Sequence, residues 1–175
     1  HPNYPPVSTE LDFSINVGVS GTCNAFYDGS SINFYNAGGG CNNTAFSVIV
    51  HHENGHHYVA TGGSGQLQYG EGMSDCFSVL VSGDSKLARG FFQGDCVDGI
   101  RNADNSYQYG GACSGIHDCG QLISGCIWDS LQLLPLETVA ALTVNSVPMH
   151  VGGGIAPDIF LDWLILDDDD GDLDN

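Results

Sequence analysis

The sequence predicts an α+β fold in which a short N-terminal sheet precedes a mainly helical remainder. Apolar residues alternate with polar ones from Leu11 to Val19, a period of two that indicates a strand with one buried face. From Asn43 onward, apolar residues recur at the three- and four-residue spacing of helices. A chain of 175 residues is long enough to bury its own core. We therefore expect one domain over residues 1–166 and an acidic tail over residues 167–175.

A β-hairpin completes the predicted sheet. Phe26 and Tyr27 lead into Asp28-Gly29, a dipeptide typical of hairpin turns, and residues 31–35 form the return strand. Three consecutive glycines at 38–40 then end the pattern. The first part of the chain is thus predicted to be a small sheet.

Five helices are predicted after the sheet. Asn43 or Thr44 can cap the first, which ends near Gly62. The other four are expected over residues 71–81, 116–134, 136–144 and 156–166. Between Gly83 and Gly115 the chain has no sustained period, which indicates a long surface loop of the kind that often carries functional residues.

The chain is strongly acidic. Three Lys and Arg residues stand against 21 Asp and Glu residues, which gives a net charge of −18. Such a surface repels phosphate backbones and anionic lipid headgroups, so nucleic-acid and membrane partners are excluded. Most of the acidic residues are Asp, and six of them lie within residues 167–175, a bias that points to divalent cations. Self-association is left open by the sequence.

Seven cysteines without a C-x-x-C pair indicate disulfides in an oxidising compartment, so we expect a secreted protein. Cys119 and Cys126 are seven residues apart on one predicted helix, where about 10–11 Å separates their backbones, too far for a mutual bond. Cys76 is therefore expected to pair with one of them. The other predicted bridges are Cys23–Cys41 and Cys96–Cys113.

The segment from His51 to His57 contains His52-Glu53-x-x-His56. Residues four apart lie on one face of a helix, so the two imidazoles can converge on one zinc ion. Glu53 lies beside that face and can hold the attacking water without being a ligand, as a general base must. His51 and His57 project away from the His52 and His56 face and are not predicted to be ligands.

A third ligand is predicted farther along the chain. Glu71 and Asp75 belong to Gly70-Glu71-Gly72-Met73-Ser74-Asp75 and are again four residues apart on one helical face. Glu71 can complete a His-His-Glu site with an open fourth position, and Asp75 can accept the free ring N–H of a zinc histidine.

These two motifs resemble those of the gluzincin metalloendopeptidases, especially the thermolysin and fungalysin type. The resemblance implies zinc bound by His52, His56 and Glu71, with Glu53 as general base and Asp75 in support. It also implies a minimal zincin-like fold, in which the short sheet packs on the active-site helix and the C-terminal part is helical.

Three further segments resemble the same family in the same order. Asn24-Ala25-Phe26-Tyr27-Asp28-Gly29 looks like its edge strand, which implies that Asn24 and Ala25 hold an extended peptide. Gly99-Ile100-Arg101-Asn102-Ala103-Asp104 implies that Arg101 contacts substrate. Ile116-His117 implies that His117 stabilises the oxyanion. Each also has an ordinary interpretation: a turn residue for Asn24, a structural cation for Arg101 and a helix-start residue for His117.

Two departures limit the resemblance. The spacing from His56 to Glu71 is shorter than in thermolysin, and the C-terminal helical half is reduced, so the S1′ pocket is not carried over. The tyrosine that assists the oxyanion in the family has three candidates here: Tyr69, Tyr107 and Tyr109.

The function expected from the sequence is that of a secreted zinc endopeptidase acting on peptide or protein substrates. Two alternatives stay open. One is an inactive zinc- and calcium-binding extracellular domain that serves adhesion or assembly, and the other is a purely calcium-binding module.

The acidic tail carries a separate prediction. Its carboxylates alternate around Gly171 and resemble calcium loops of the thrombospondin type-3 or dockerin kind. The predicted calcium ligands are Asp168, Asp170, Asp172 and Asp174. The alternative is a solvated acidic run without bound metal.

Overall fold

A computed structural model describes residues 13–168 and Gly171, and it has the predicted α+β architecture. The strands are β1 (Ser14–Val19), β2 (Ala25–Tyr27), β3 (Ser31–Tyr35), β4 (Lys86–Leu87) and β5 (Arg101–Asn102). The helices are α1 (Ser47–Thr61), α2 (Leu67–Ser82), α3 (Gly115–Leu131), α4 (Leu136–Ser146), a 3-10 turn (Val147–Met149) and α5 (Asp158–Asp167). Within residues 13–168, none of the helices is both long enough and apolar enough to cross a bilayer.

The first three strands form one sheet in the order β1-β3-β2. β2 and β3 are antiparallel, which confirms the predicted hairpin, and β1 runs parallel to β3. The Asp28 carboxylate accepts the backbone N–H groups of Ser30 and Ser31, at 2.9 and 2.7 Å, and so closes the turn. Helix α1, which carries His52 and His56, packs on β2 and β3, as the sequence analysis expects.

The prediction of a half-buried first strand is wrong. Ile15 and Val17 are 59% and 62% exposed, although they alternate with polar residues as predicted. The physical reason is the strand order: β1 lies at the sheet edge away from α1, which covers β3 and β2. Ile32 and Phe34 of β3 form the buried layer instead.

Helix α1 begins later than its predicted caps. Asn43 accepts the Ala45 backbone N–H at 2.9 Å, and Thr44 donates to the Asn24 carbonyl at 2.9 Å. Both side chains are thus engaged in the preceding loop, and Phe46 occupies the N-cap position without a side-chain hydrogen bond. Helix α2 begins at Leu67, earlier than the predicted Glu71.

Helix α2 lies at the centre of the helical part, packed between α1 and α3. Two glycine contacts bring the three helices unusually close. A Cβ on Gly55 of α1 would lie 2.6 Å from the Ser74 Cα of α2. A Cβ on Gly72 of α2 would lie 2.7 Å from the Gly120 carbonyl oxygen of α3. Side chains on all three helices can therefore meet in one place.

The disulfide predictions are confirmed in part. Cys23–Cys41 forms as predicted. The predicted Cys96–Cys113 bridge is wrong, because Cys113 pairs with Cys119 of the first α3 turns, and Cys96 is an exposed free thiol. Since Cys119 is occupied, it does not pair with Cys76. The structure also leaves Cys76 and Cys126 as free thiols, so the predicted third bridge is absent.

Candidate metal centre

Helix α1 presents two histidines and α2 presents a glutamate to the same point. The His52 Nε2 atom lies 3.2 Å from Glu71 Oε2, and the His56 Nε2 atom lies 3.7 Å from Glu71 Oε1. One nitrogen or oxygen from each residue lies within 4.8 Å of the others, a spacing that could hold a metal ion. The structure therefore brings the three predicted ligands together, because α1 and α2 meet at Gly55 and Ser74.

The three residues suit a cation. Glu71 Oε2 is buried and makes no hydrogen bond, even though His52 Nε2 is at ion-pair distance, because that contact lacks hydrogen-bond geometry. The histidine rings turn their Nδ1 atoms to other partners, so their Nε2 atoms face the carboxylate. With both Nε2 atoms deprotonated, the two imidazoles and the carboxylate would present three acceptor atoms in one buried place, an arrangement that a cation can satisfy. Two imidazole nitrogens and one carboxylate oxygen form a donor set that zinc accepts.

The His52 ring contacts the buried ion pair between Asp75 and Arg101. Its Nδ1 donates to Asp75 Oδ1 at 2.8 Å, and Asp75 accepts two further hydrogen bonds from Arg101, at 2.6 and 2.7 Å. Burial alone would lower the pKa of His52, but the hydrogen bond and charge of Asp75 outweigh it and raise that pKa to about 9. Burial raises the pKa of Asp75, while the Arg101 charge and the His52 hydrogen bond lower it to about 2. Asp75 is thus ionised where it meets His52.

His56 is held by a residue that the sequence analysis did not identify. Its Nδ1 lies 2.7 Å from Gln66 Oε1, just before α2 begins. Gln66 was missed because it belongs to neither motif. The one sequence signal for Gln66 is its position as a polar residue between a glycine-rich turn and the helix that carries Glu71.

Glu53 lies beside the two histidines and lines the same cleft. It is only 5% exposed, and burial raises the pKa of its carboxyl above the usual value. The carboxyl of Glu71, the neighbouring candidate ligand, has its pKa shifted the other way. Burial raises the pKa of Glu71, but the nearness of His52 and His56 outweighs burial and holds that pKa well below its usual range. Of the two carboxyls, Glu53 is therefore the one better able to accept and return a proton near neutral pH.

His117 reaches the centre from the first turn of α3. Its Nε2 lies 3.2 Å from Glu71 Oε1, and its side chain is 59% exposed to the cleft. Partial burial lowers the pKa of His117, against the opposing charge of Glu71. The ring thus borders both the carboxylate and the open side of the site. The Gly72–Gly120 contact between α2 and α3 explains how it comes so near.

A cleft of about 590 Å³ opens from the centre between β2 and the start of α3. Asn24 and Ala25 line it on the β2 side, Ile116 and His117 on the α3 side. Because the sheet order is β1-β3-β2, the outer edge of β2 is not paired within this sheet.

A smaller cavity of about 110 Å³ adjoins the cleft. Arg101, His52, Glu53 and other polar residues share its walls with apolar side chains: Val48, Ile49, Leu87, Ala88, Phe91 and Ile100. Arg101 is therefore placed at the wall of a cavity, with its guanidinium turned to Asp75.

The three tyrosine candidates for the oxyanion role lie outside the residues that line the cleft. Tyr69 is buried against the His150 ring, and Tyr107 donates to Asp118 at 2.5 Å. Tyr109 lines a separate cavity beside the Cys113–Cys119 bridge. The tyrosine that does line the cleft is Tyr27, whose hydroxyl lies 3.3 Å from His57 Nδ1.

Of the predicted calcium ligands, only Asp168 falls within the described residues. It accepts the Gly171 backbone N–H at 2.7 Å. Asp170, Asp172 and Asp174 lie outside the described residues. Calcium binding by the tail stays a prediction.

Fold and site together define an α+β domain with a His-His-Glu group that could hold a metal ion at the base of a cleft. The chain matches no protein-family model, and no curated protein matches it.

Proposed function

We propose that this protein is a secreted zinc-dependent endopeptidase. The observation that carries the proposal is the convergence of His52, His56 and Glu71 around an unpaired buried carboxylate oxygen, with Glu53 on the open side. Two disulfides support an extracellular location, because such bonds persist in oxidising compartments.

His52, His56 and Glu71 would hold the zinc ion. When bound, zinc acts as a Lewis acid that polarises the scissile carbonyl and makes water acidic enough to deprotonate near neutral pH. Glu53 takes a proton from the attacking water and returns it to the leaving amine, a role that its raised pKa favours. His117 donates a hydrogen bond to the developing oxyanion from the open side of Glu71.

The substrate would lie along β2. An extended peptide can add to an unpaired strand edge through main-chain hydrogen bonds. Because these bonds do not involve side chains, peptides of different sequence can bind in the same way. Asn24 and Ala25 line both the cleft and the smaller cavity, so a peptide on this edge passes directly over the centre. Arg101 stands at the wall of the smaller cavity, where it would meet a peptide carbonyl while it supports Asp75.

The proposal is tested by zinc analysis of the purified chain together with digestion of a broad unstructured peptide library. We expect about one zinc per chain and cleavage at internal peptide bonds that a chelator abolishes. Zinc uptake without any cleavage would instead support the alternative of a non-catalytic metal-binding domain. A chain that takes up no zinc would contradict both.

A further inference from the structure

Gln66 contacts His56 at two separate points. The Gln66 Oε1 atom lies 2.7 Å from the ring Nδ1, and the Gln66 Nε2 atom lies 3.0 Å from the backbone carbonyl oxygen of the same residue. One amide side chain therefore holds both the ring and the main chain of a histidine that faces Glu71.

The hydrogen bond to the His56 carbonyl determines which end of the Gln66 amide faces the His56 ring. A carbonyl oxygen can only accept, so the Gln66 nitrogen must face the His56 carbonyl. The Gln66 oxygen then faces Nδ1, and since that oxygen can only accept, Nδ1 must carry the ring proton. A neutral His56 ring with its proton on Nδ1 has a bare Nε2, the atom directed at Glu71.

The backbone next to Gln66 adopts an unusual conformation that hydrogen bonds from another segment stabilise. Leu67 has φ of +55°, a conformation that bulky residues rarely adopt, so the turn into α2 needs outside support. The support comes from a distant segment: Gly65 N–H donates to the Gly152 carbonyl at 3.1 Å, and Tyr69 N–H donates to the Gly153 carbonyl at 3.0 Å.

Two glycines leave the space that Gln66 occupies. A Cβ on Gly70 would lie 2.6 Å from Gln66 Oε1, the atom that meets the ring. A Cβ on Gly153 would lie 2.8 Å from the Gln66 carbonyl oxygen. A side chain at Gly70 would displace the Gln66 amide from His56, and one at Gly153 would collide with the Gln66 backbone.

We propose that Gln66 is a positioning residue of the metal centre, which fixes the ring orientation and the proton of His56 and depends on Gly70 for its place. This inference rests on the proposed zinc site, and it assigns to a neutral amide on His56 the work that Asp75 does on His52.

The test is a double-mutant cycle of Gln66→Ala and Gly70→Ala, read as the zinc dissociation constant in competition with a chromogenic chelator. We expect Gln66→Ala to weaken zinc binding about 10- to 100-fold, as is usual when a partner of a zinc histidine is lost. Gly70→Ala should weaken it similarly in the parent chain but have little further effect in the Gln66→Ala background, because nothing is left to displace. Gln68→Ala, at a glutamine two residues away that lines a different cavity, is the matched control and should bind zinc as the parent does.

General destabilisation can be separated from positioning. Alanine is a better helix former than glycine, so a Gly70→Ala chain that loses zinc affinity while keeping its helix content has lost the position of Gln66 and not its fold. Two results would overturn the proposal. One is a zinc affinity of Gln66→Ala within twofold of that of the parent. The other is that Gly70→Ala lowers zinc affinity by the same factor in the parent chain and in the Gln66→Ala background.

A metal-free measurement keeps the inference distinct from the proposed function. Nitrogen NMR of the neutral His56 ring should show the proton on Nδ1 in the parent and a mixture of both tautomers in Gln66→Ala. A parent ring protonated on Nε2 would refute the positioning role, whatever the chain does with zinc. A parent that shows the Nδ1 proton yet binds no zinc would uphold the Gln66 contact and remove the endopeptidase proposal.

Discussion

Gly55 of α1 and Ser74 of α2 meet so closely that a Cβ on Gly55 would lie 2.6 Å from the Ser74 Cα. The contact lies between His52 and His56 on one side and between Glu71 and Asp75 on the other, so it sets the distance across the metal centre. The absence of a Cβ at Gly55 thus links helix packing to the spacing of the candidate metal ligands.

Gly55→Ala should force the two helices apart. Overpacking of a close contact costs about 1–3 kcal/mol, so we expect a loss of that size in the free energy of unfolding, together with weaker zinc binding. Chemical denaturation and chelator competition measure the two effects. Gly154→Ala is the control, since nothing lies within 4 Å of a Cβ there, and it should change neither quantity. Unchanged zinc affinity in Gly55→Ala would show that the helix spacing does not set the ligand geometry.

Arg101→Gln should destabilise the chain and weaken zinc binding together. The change leaves the fully buried Asp75 without its cationic partner, and breaking a buried ion pair costs about 3–5 kcal/mol. The matched control is Arg89→Gln, because Arg89 pairs with Asp84 on the surface and should matter little. Equal effects of the two substitutions on thermal unfolding would argue against a supporting role for Arg101.

The cysteines should react in a fixed order. Cys96 is exposed and should be alkylated in the native chain, whereas Cys76 is buried, and burial raises the pKa of its thiol well above the usual value. Cys76 should therefore react only after unfolding. Non-reducing peptide mapping should recover Cys23–Cys41 and Cys113–Cys119. A peptide that links Cys96 to Cys113 would contradict the disulfide arrangement.

Cationic peptides should be the better substrates. The net charge is −18, and all three basic side chains are already paired with aspartates: Lys86 with Asp98, Arg89 with Asp84 and Arg101 with Asp75. Two peptides with one scissile core, flanked by lysines or by glutamates, should differ in kcat/KM by about tenfold or more at low salt. The difference should shrink in about 1 M salt, where charges are screened within about 3 Å. A ratio that does not depend on salt would rule out steering by the acidic surface.

The sequence predicts the His52-His56-Glu71 group because helical spacing over a few residues determines which side chains share a face. Four-residue spacing on a helix fixes which side chains share a face, so His52 and His56 are found together, and Glu71 joins them as predicted. Asp75, four residues after Glu71, lies on the same helical face and accepts the His52 Nδ1–H. Hydrophobic spacing likewise predicts each helix to within a few residues.

The features that the sequence does not predict depend on strand order, on where helices begin and on contacts between distant segments. The exposure of Ile15 follows from strand order, which alternation alone does not encode. Cys113 pairs with its near neighbour Cys119 because α3 begins between them, and cysteine spacing does not reveal that. Gln66 reaches His56 only because Gly152 and Gly153 hold the turn from the far end of the chain.

The central claim is that Glu53 acts on substrate while His52 holds the metal, and one paired measurement tests it most directly. Zinc content and peptide hydrolysis are compared for the parent, Glu53→Gln, His52→Ala and the control Glu137→Gln on α4. We expect Glu53→Gln to keep about one zinc per chain and lose hydrolysis by several orders of magnitude, His52→Ala to lose both, and Glu137→Gln to lose neither. Glu53→Gln that binds zinc and hydrolyses peptides at the parent rate would contradict the account.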